Sequence, residues 1–236
     1  MNGLLQEEKE KRYMEKYKIM KKIISFFILF ISFSTTYAQN SRIITPTKGE
    51  IVFREFTKIT NRDLFVKSLK NSKEKFKQSL KQSFIRDSIN KDKVQQIEEM
   101  VKSTADAMEY IFKEDSTEIY QCKFNELMEQ SFSENVILKI SVNKKSRKII
   151  NGYDCFKVMY QYKENTDTAD EDYLTFTANT IYQREMWVTE KIKSLHHPVI
   201  FDKSILEKYY PLAIVETQND IEGFERNYIL ETLTVN

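Results

Sequence analysis

Hydrophobic positions change their period twice along the chain. From Ile23 to Phe33 they run almost unbroken, "IISFFILFISF", behind Lys21 and Lys22 and ahead of the small polar stretch Ser34-Thr35-Thr36-Tyr37-Ala38. After this leader, "GEIVFREFTKI" (49–59) is rich in β-branched and aromatic residues and predicts a first strand. From about 62 to 84, Leu69, Phe76, Leu80 and Phe84 recur at helical spacing. A second helix is predicted over about 91–112, with Val94, Ile97, Val101, Met108 and Ile111 on one face. Neither segment contains Gly or Pro, and "RDSIN" between them carries turn chemistry.

Downstream the period becomes two. Val136, Leu138, Ile140 and Val142 alternate with Ile137, Lys139 and Ser141, and Phe156, Val158, Tyr160 and Tyr162 alternate with Lys157, Met159 and Gln161. Asn151-Gly152 between them tolerates the positive φ angles of a tight turn. "DYLTFTAN", "TIYQREMWVT", "PLAIVET" and "FERNYILETLTV" supply four more candidate strands. Short consecutive strands with compact turns predict an antiparallel sheet, and the fold class is therefore α+β: a curved antiparallel sheet with a two-helix insertion packed on one face. The expected organisation is an N-terminal extension and leader over 1–38, then one domain over 39–236, with the helical insertion at about 62–112 and the strand-rich part at about 135–236.

The apolar run fixes the compartment. Eleven helical residues reach about 16 Å, half of a hydrocarbon layer about 30 Å thick, so the run does not span a bilayer. Charged, apolar and cleavable segments in that order are those of a secretory signal, with cleavage expected between Ala38 and Gln39. The product is then periplasmic or secreted, with no transmembrane segment and no cysteine near the cut for a lipid anchor. Residues 1–38 hold seven Lys or Arg and four Glu, so of the chain's 37 basic and 35 acidic residues 30 and 31 remain, a net charge of about −1. A near-neutral exported chain lacks the basic stripe of a nucleic-acid binder. The clusters "KNSKEKFKQSLKQ" and "NKKSRK" are then a solvated helix face and a hairpin tip. In an oxidising compartment the chain's two cysteines, Cys122 and Cys155, are expected either to bridge or to lie as separate buried thiols.

Three segments carry a resemblance: "KIINGYDCFKVMY", "REMWVTEKI" and "YYPLAIVETQND", in this order. They resemble the GLPGLI family of secreted Gram-negative envelope proteins, or a closely related family of unknown function. The matching positions are Gly152, Tyr153, Cys155, Trp187, Thr189, Pro211 and Leu212. The Gly-Leu-Pro-Gly-Leu-Ile stretch itself is absent; "YYPLAIVE" stands in its place without either glycine. The resemblance implies an envelope protein, and its architecture is similar to the curved sheets of outer-membrane lipoprotein carriers.

Catalytic constellations are thin. His196 and His197 are adjacent in "SLHHPV" without a third ligand at a metal-binding spacing. There is no Gly-x-Ser-x-Gly elbow, phosphate loop or His-Glu-x-x-His helix. Cys155 and His197 are the materials of a nucleophile pair, but two cysteines in an exported chain are more often bridged. The acidic run "ENTDTADED" (164–172) lacks the Gly and the terminal Glu of an EF-hand and is expected to be a hairpin loop. Trp187 shares a strand face with Gln183 and Glu185, opposite Tyr182, Arg184, Met186 and Val188. No catalytic residue, metal or cofactor is expected. The expected function is a non-enzymatic binding module, since sixteen Phe and thirteen Tyr exceed a minimal core and can line an apolar cavity. Its partner is an apolar small molecule or lipid or, alternatively, another envelope protein; an unrecognised enzyme ranks third.

Overall fold

The structure is a computed structural model, and it describes residues 42–86, 98–99, 102–103, 112–125, 131–165 and 179–236. Within them the chain forms seven strands: β1 (Gly49–Ile59), β2 (Thr117–Lys123), β3 (Val136–Ile150), β4 (Tyr153–Lys163), β5 (Tyr182–Thr189), β6 (Tyr210–Gln218) and β7 (Phe224–Val235). Helix α1 (Arg62–Arg86) follows β1, and the short α2 (Lys203–Leu206) lies between β5 and β6. The strands make one antiparallel open sheet in the order β2-β1-β7-β6-β5-β4-β3. The fold is α+β. The leader with Ala38 and Gln39, most of the expected helix at about 91–112, the strand "DYLTFTAN" up to residue 178 and the acidic run beyond 165 lie outside the described residues, as do the side chains of Leu80 and Phe84; of that helix, Glu98, Glu99, Lys102 and Ser103 are described and are helical.

Alternation explains which face is buried. On β1, Ile51, Phe53, Glu55 and Thr57 point inward, and on β4 Phe156, Val158, Tyr160 and Tyr162 do the same. The other face carries Arg54 paired with Glu231 at 2.5 Å and Lys157 paired with Glu185 at 2.7 Å, so it is largely wet. Register shifts at Val52/Phe53, Ile137/Lys139, Asn143/Arg147 and Trp187/Val188 bend the sheet. At one end the bend brings the β3–β4 turn back to β7, where Asn151 Nδ2 donates to the Leu233 carbonyl at 3.3 Å. In a flat sheet β4 and β7 would be three spacings, about 14 Å, apart.

The β3–β4 turn is the expected one: Asn151 at φ 46° and Gly152 at φ 80° make a two-residue loop of two positive φ angles. "NKKSRK" is not the hairpin tip, however. It lies inside β3 and carries a bulge that Asn143 closes, its Oδ1 accepting from the Lys145 and Ser146 amides at 3.1 and 3.2 Å. The strand pattern also passed over β2, an edge strand.

Helix α1 begins where Asn61 Oδ1 accepts the Leu64 amide at 3.1 Å, an N-cap. Phe65, with Leu69 beside it, packs against Ile221, Phe224 and Phe112 in a small cluster at the β6–β7 turn, apart from the main core. The hydroxyls of Ser68 and Ser72 donate to the carbonyls of Glu222 and Asp220 at 3.2 and 2.8 Å, tying the helix to the same turn.

Candidate functional site

One row of the inner face is polar where most of its neighbours are apolar. Thr57 (β1), Arg226 (β7), Glu216 (β6), Arg184 (β5) and Tyr160 (β4) stand opposite one another across five consecutive strands, and the next residue in the row is Ile140 of β3. Arg184 Nε donates to Glu216 Oε2 at 2.6 Å, and its Nη1 donates to Tyr160 Oη at 2.9 Å and to Asp202 Oδ2 at 3.2 Å. Tyr160 Oη donates to Asp202 Oδ2 at 2.7 Å, and Tyr162 Oη to Glu216 Oε2 at 3.1 Å. The Arg184 guanidinium also lies 4.8 Å from the centre of the Tyr162 ring.

Asp202 precedes α2 without capping it by its side chain. Its carboxylate turns to the sheet, and Oδ1 accepts from Ser133 Oγ at 2.9 Å and Asn135 Nδ2 at 3.0 Å. With Tyr160 and Arg184 on Oδ2, all four acceptor directions are taken. Burial disfavours the Arg184 charge, yet Glu216, Tyr160 and Tyr162 outweigh it and hold the guanidinium well above its ordinary pKa. Burial also raises both tyrosines, so they stay protonated donors. This network fixes positions: it clamps the segment leading into β3 and the 199–206 loop onto the sheet.

His197 serves a similar purpose. The Val199 and Ile200 amides donate to its Nδ1 at 3.1 and 3.0 Å, which leaves the proton on Nε2, 3.2 Å from the Pro211 carbonyl. Burial pulls its pKa down to about 3, against the raising effect of the Pro211 carbonyl, and Arg184 lowers it further. The ring is a neutral brace packed between Phe53 and Tyr210. His196 does not join it in a site; its carbonyl accepts from Tyr210 Oη at 3.0 Å.

The bridge between Cys122 and Cys155 is not formed: both are free thiols. Cys122 sits on edge strand β2 and Cys155 on β4, with β1, β7, β6 and β5 between them in the sheet. Burial, reinforced by Asp154, pushes the Cys155 thiol up to about 12, and the thiol rests 3.5 Å from the Tyr153 carbonyl. A thiol so buried is no nucleophile.

The other positions singled out in the sequence gather at the same end of β4, β5 and β6. Tyr153 begins β4 after Gly152, Thr189 ends β5 opposite Tyr210, and Pro211 faces Val188 at a bulge, where a missing amide is tolerated. Leu212 and Thr189 are fully buried. Trp187 lies on the outer face, with the ammonium groups of Lys148 and Lys157 5.8 and 5.3 Å from its ring centre.

Among the described residues, a groove and a sheet edge are open to a partner. An open groove of about 430 Å³ is lined by Thr45, Pro46, Leu195, His196 and Leu206 among others. At the sheet edge, β3 exposes Val136, Leu138, Ile140 and Val142 at 40, 46, 41 and 41%. Among the described residues no strand pairs with its outer side, no group of three or more His, Cys, Asp or Glu could hold a metal ion, and no helix is long and apolar enough to cross a membrane. Compared with models of protein families, with curated proteins and with solved structures, the chain matches none.

Sequence reasoning missed the Arg184 network. The available signal was a charge at alternate positions within otherwise apolar faces: Arg184 between Tyr182 and Met186, and Glu216 after Ile214.

Proposed function

We propose that this chain is an exported envelope protein, a divergent relative of the GLPGLI group, that works as a protein–protein interaction module by adding a partner's strand to the edge of β3. The observation that carries the reading is β3 itself, 15 residues long at the end of the sheet order, with four large apolar side chains exposed in its first half. Folded proteins usually shorten, charge or cover such an edge, because its unpaired amides and carbonyls template another chain. Here the Asp202 network holds the residues just before β3, so the edge is presented without an ordering cost at binding. Behind it lies a cluster of buried apolar side chains that runs from Ile51 to Tyr228.

A second reading has an apolar small molecule or lipid as the partner. It draws on the open groove, whose volume of about 430 Å³ falls in the range of small-ligand sites.

Both are tested on protein recovered from its own envelope. Intact mass is expected to match a chain beginning at Gln39, and retention of Phe26–Phe33 would overturn export. A photo-crosslinking residue at Leu138 is expected to give a discrete protein adduct, while one at exposed Lys75 on α1 gives none. A lipid retained in the native mass spectrum, with no protein adduct at Leu138, would overturn the interaction reading in favour of the second.

A further inference from the structure

β3 is divided along its length. Its first seven residues, VILKISV, hold one cation, Lys139; the stretch that follows holds Lys144, Lys145, Arg147 and Lys148, and β3 contains no acidic residue. Two of these charges are engaged at the surface, Lys144 with Glu190 at 2.9 Å and Arg147 with Asp154 at 3.1 Å, and Lys148 lies over Trp187. Lys139 and Lys145 have no ion pair among the described residues. A strand laid along this edge would meet an apolar half and a cationic half in succession.

We infer that the docking segment is an extended peptide of matching polarity, apolar along one half and rich in Asp or Glu along the other. The inference rests on the reading of β3 as the docking edge. Opposite charges directly across a strand pair stabilise it and like charges oppose it, so the cationic half selects an acidic neighbour and rejects a basic one. The same rule argues against a second copy of this chain. Antiparallel pairing of β3 with itself in full register would set Arg147 opposite Lys139 and Lys148 opposite Leu138, with no carboxylate on either strand. Apolar contact holds such a partner, and charge sets its register and its rate of encounter.

The test uses peptides of about twelve residues, long enough to follow most of β3. One half alternates Val and Thr; the other alternates Thr with Glu, Ser or Lys; each is made in both orders. Titrated into the purified protein, the Glu peptide is expected to bind at least about tenfold tighter than the Ser peptide, and the Lys peptide weakest. That preference should shrink as salt rises from about 50 to 300 mM. Lys139→Gln with Lys145→Gln should weaken the Glu peptide about three- to tenfold and leave the Ser peptide unchanged. Equal binding of the Glu and Ser peptides would overturn the acidic partner and leave the docking edge standing. If no peptide binds, and Leu138→Glu changes nothing, both are overturned. A dimer that Leu138→Glu dissolves would show that a second copy is the occupant instead.

Discussion

Arg184 occupies a position where Tyr182, Met186 and Val188 on the same face would lead one to expect another apolar side chain. Its charge makes sense only through Glu216 and Asp202, which reach it from β6 and from the loop before α2. Removing one member of a buried ionic group leaves the others desolvated without a counter-charge, typically costing about 3–5 kcal/mol. Arg184→Met is therefore expected to lower the unfolding free energy by about that amount, read from urea titrations. Glu216→Gln, which keeps acceptors for Arg184 and Tyr162, should cost clearly less; equal losses would sink the account. His197 gives a pH dependence of definite sign. Its folded pKa of about 3 lies below the unfolded value near 6.5, so both states are neutral at higher pH and its contribution is fully present there. As pH falls from 6.5 toward 3, the unfolded chain takes up a proton that the folded chain refuses, and stability is lost, by about 2 kcal/mol at pH 5. The urea midpoint should fall between pH 7.5 and 5, and His197→Asn should flatten that slope while keeping an acceptor for the Val199 and Ile200 amides.

At the level of elements, the attachment of α1 turns on Gly223. It has φ 77°, and a Cβ there would lie 2.3 Å from the Asn61 carbonyl oxygen, a backbone atom that cannot swing away. The Gly223 carbonyl also accepts the Thr60 amide at 2.8 Å, just before the helix starts. Gly223→Ala should cost about 3 kcal/mol or more. It should also speed hydrogen exchange at the start of α1 before it affects β4 and β5; uniform exchange would contradict this local attachment. Much of the sheet was legible: β4 buries one face and writes that as alternation, and β1, β5, β6 and β7 stand out by their β-branched and aromatic residues. β2 was not, since "TEIYQCK" is mostly exposed at an edge and needs little pattern. The far half of β3 looks like a tip in the sequence because "NKKSRK" has loop-like composition; the Asn143 bulge lets charged residues continue the strand. The polar row was half legible: Arg184 and Glu216 could be seen on apolar faces, but their pairing spans 32 residues and the third member, Asp202, comes from a loop with no period.

For the molecule as a whole, the surface case rests on asymmetry between the sheet's two edges. β2 is seven residues long, whereas β3 runs for 15 and keeps its apolar half in view. The strand order also places β1 between β2 and β7, so Glu50 finds its partner 184 residues away, its amide donating to Thr234 Oγ1 at 3.1 Å. That pairing has a kinetic meaning. While β7 has yet to arrive, β1 and β2 form a two-stranded ribbon, which is marginal in water on its own. Contacts so distant in sequence slow folding, into the millisecond-to-second range even for small β domains. Refolding from urea should accordingly be slow, and a chain stopped before Phe224 should not recover the near-ultraviolet signal of the packed aromatics; fast recovery by the shortened chain would refute this. A polypeptide that is threaded through a secretion channel must stay unfolded until it has crossed; on the proposed reading of this chain as exported, the strand order itself supplies the delay, because the sheet is completed only when β7 arrives.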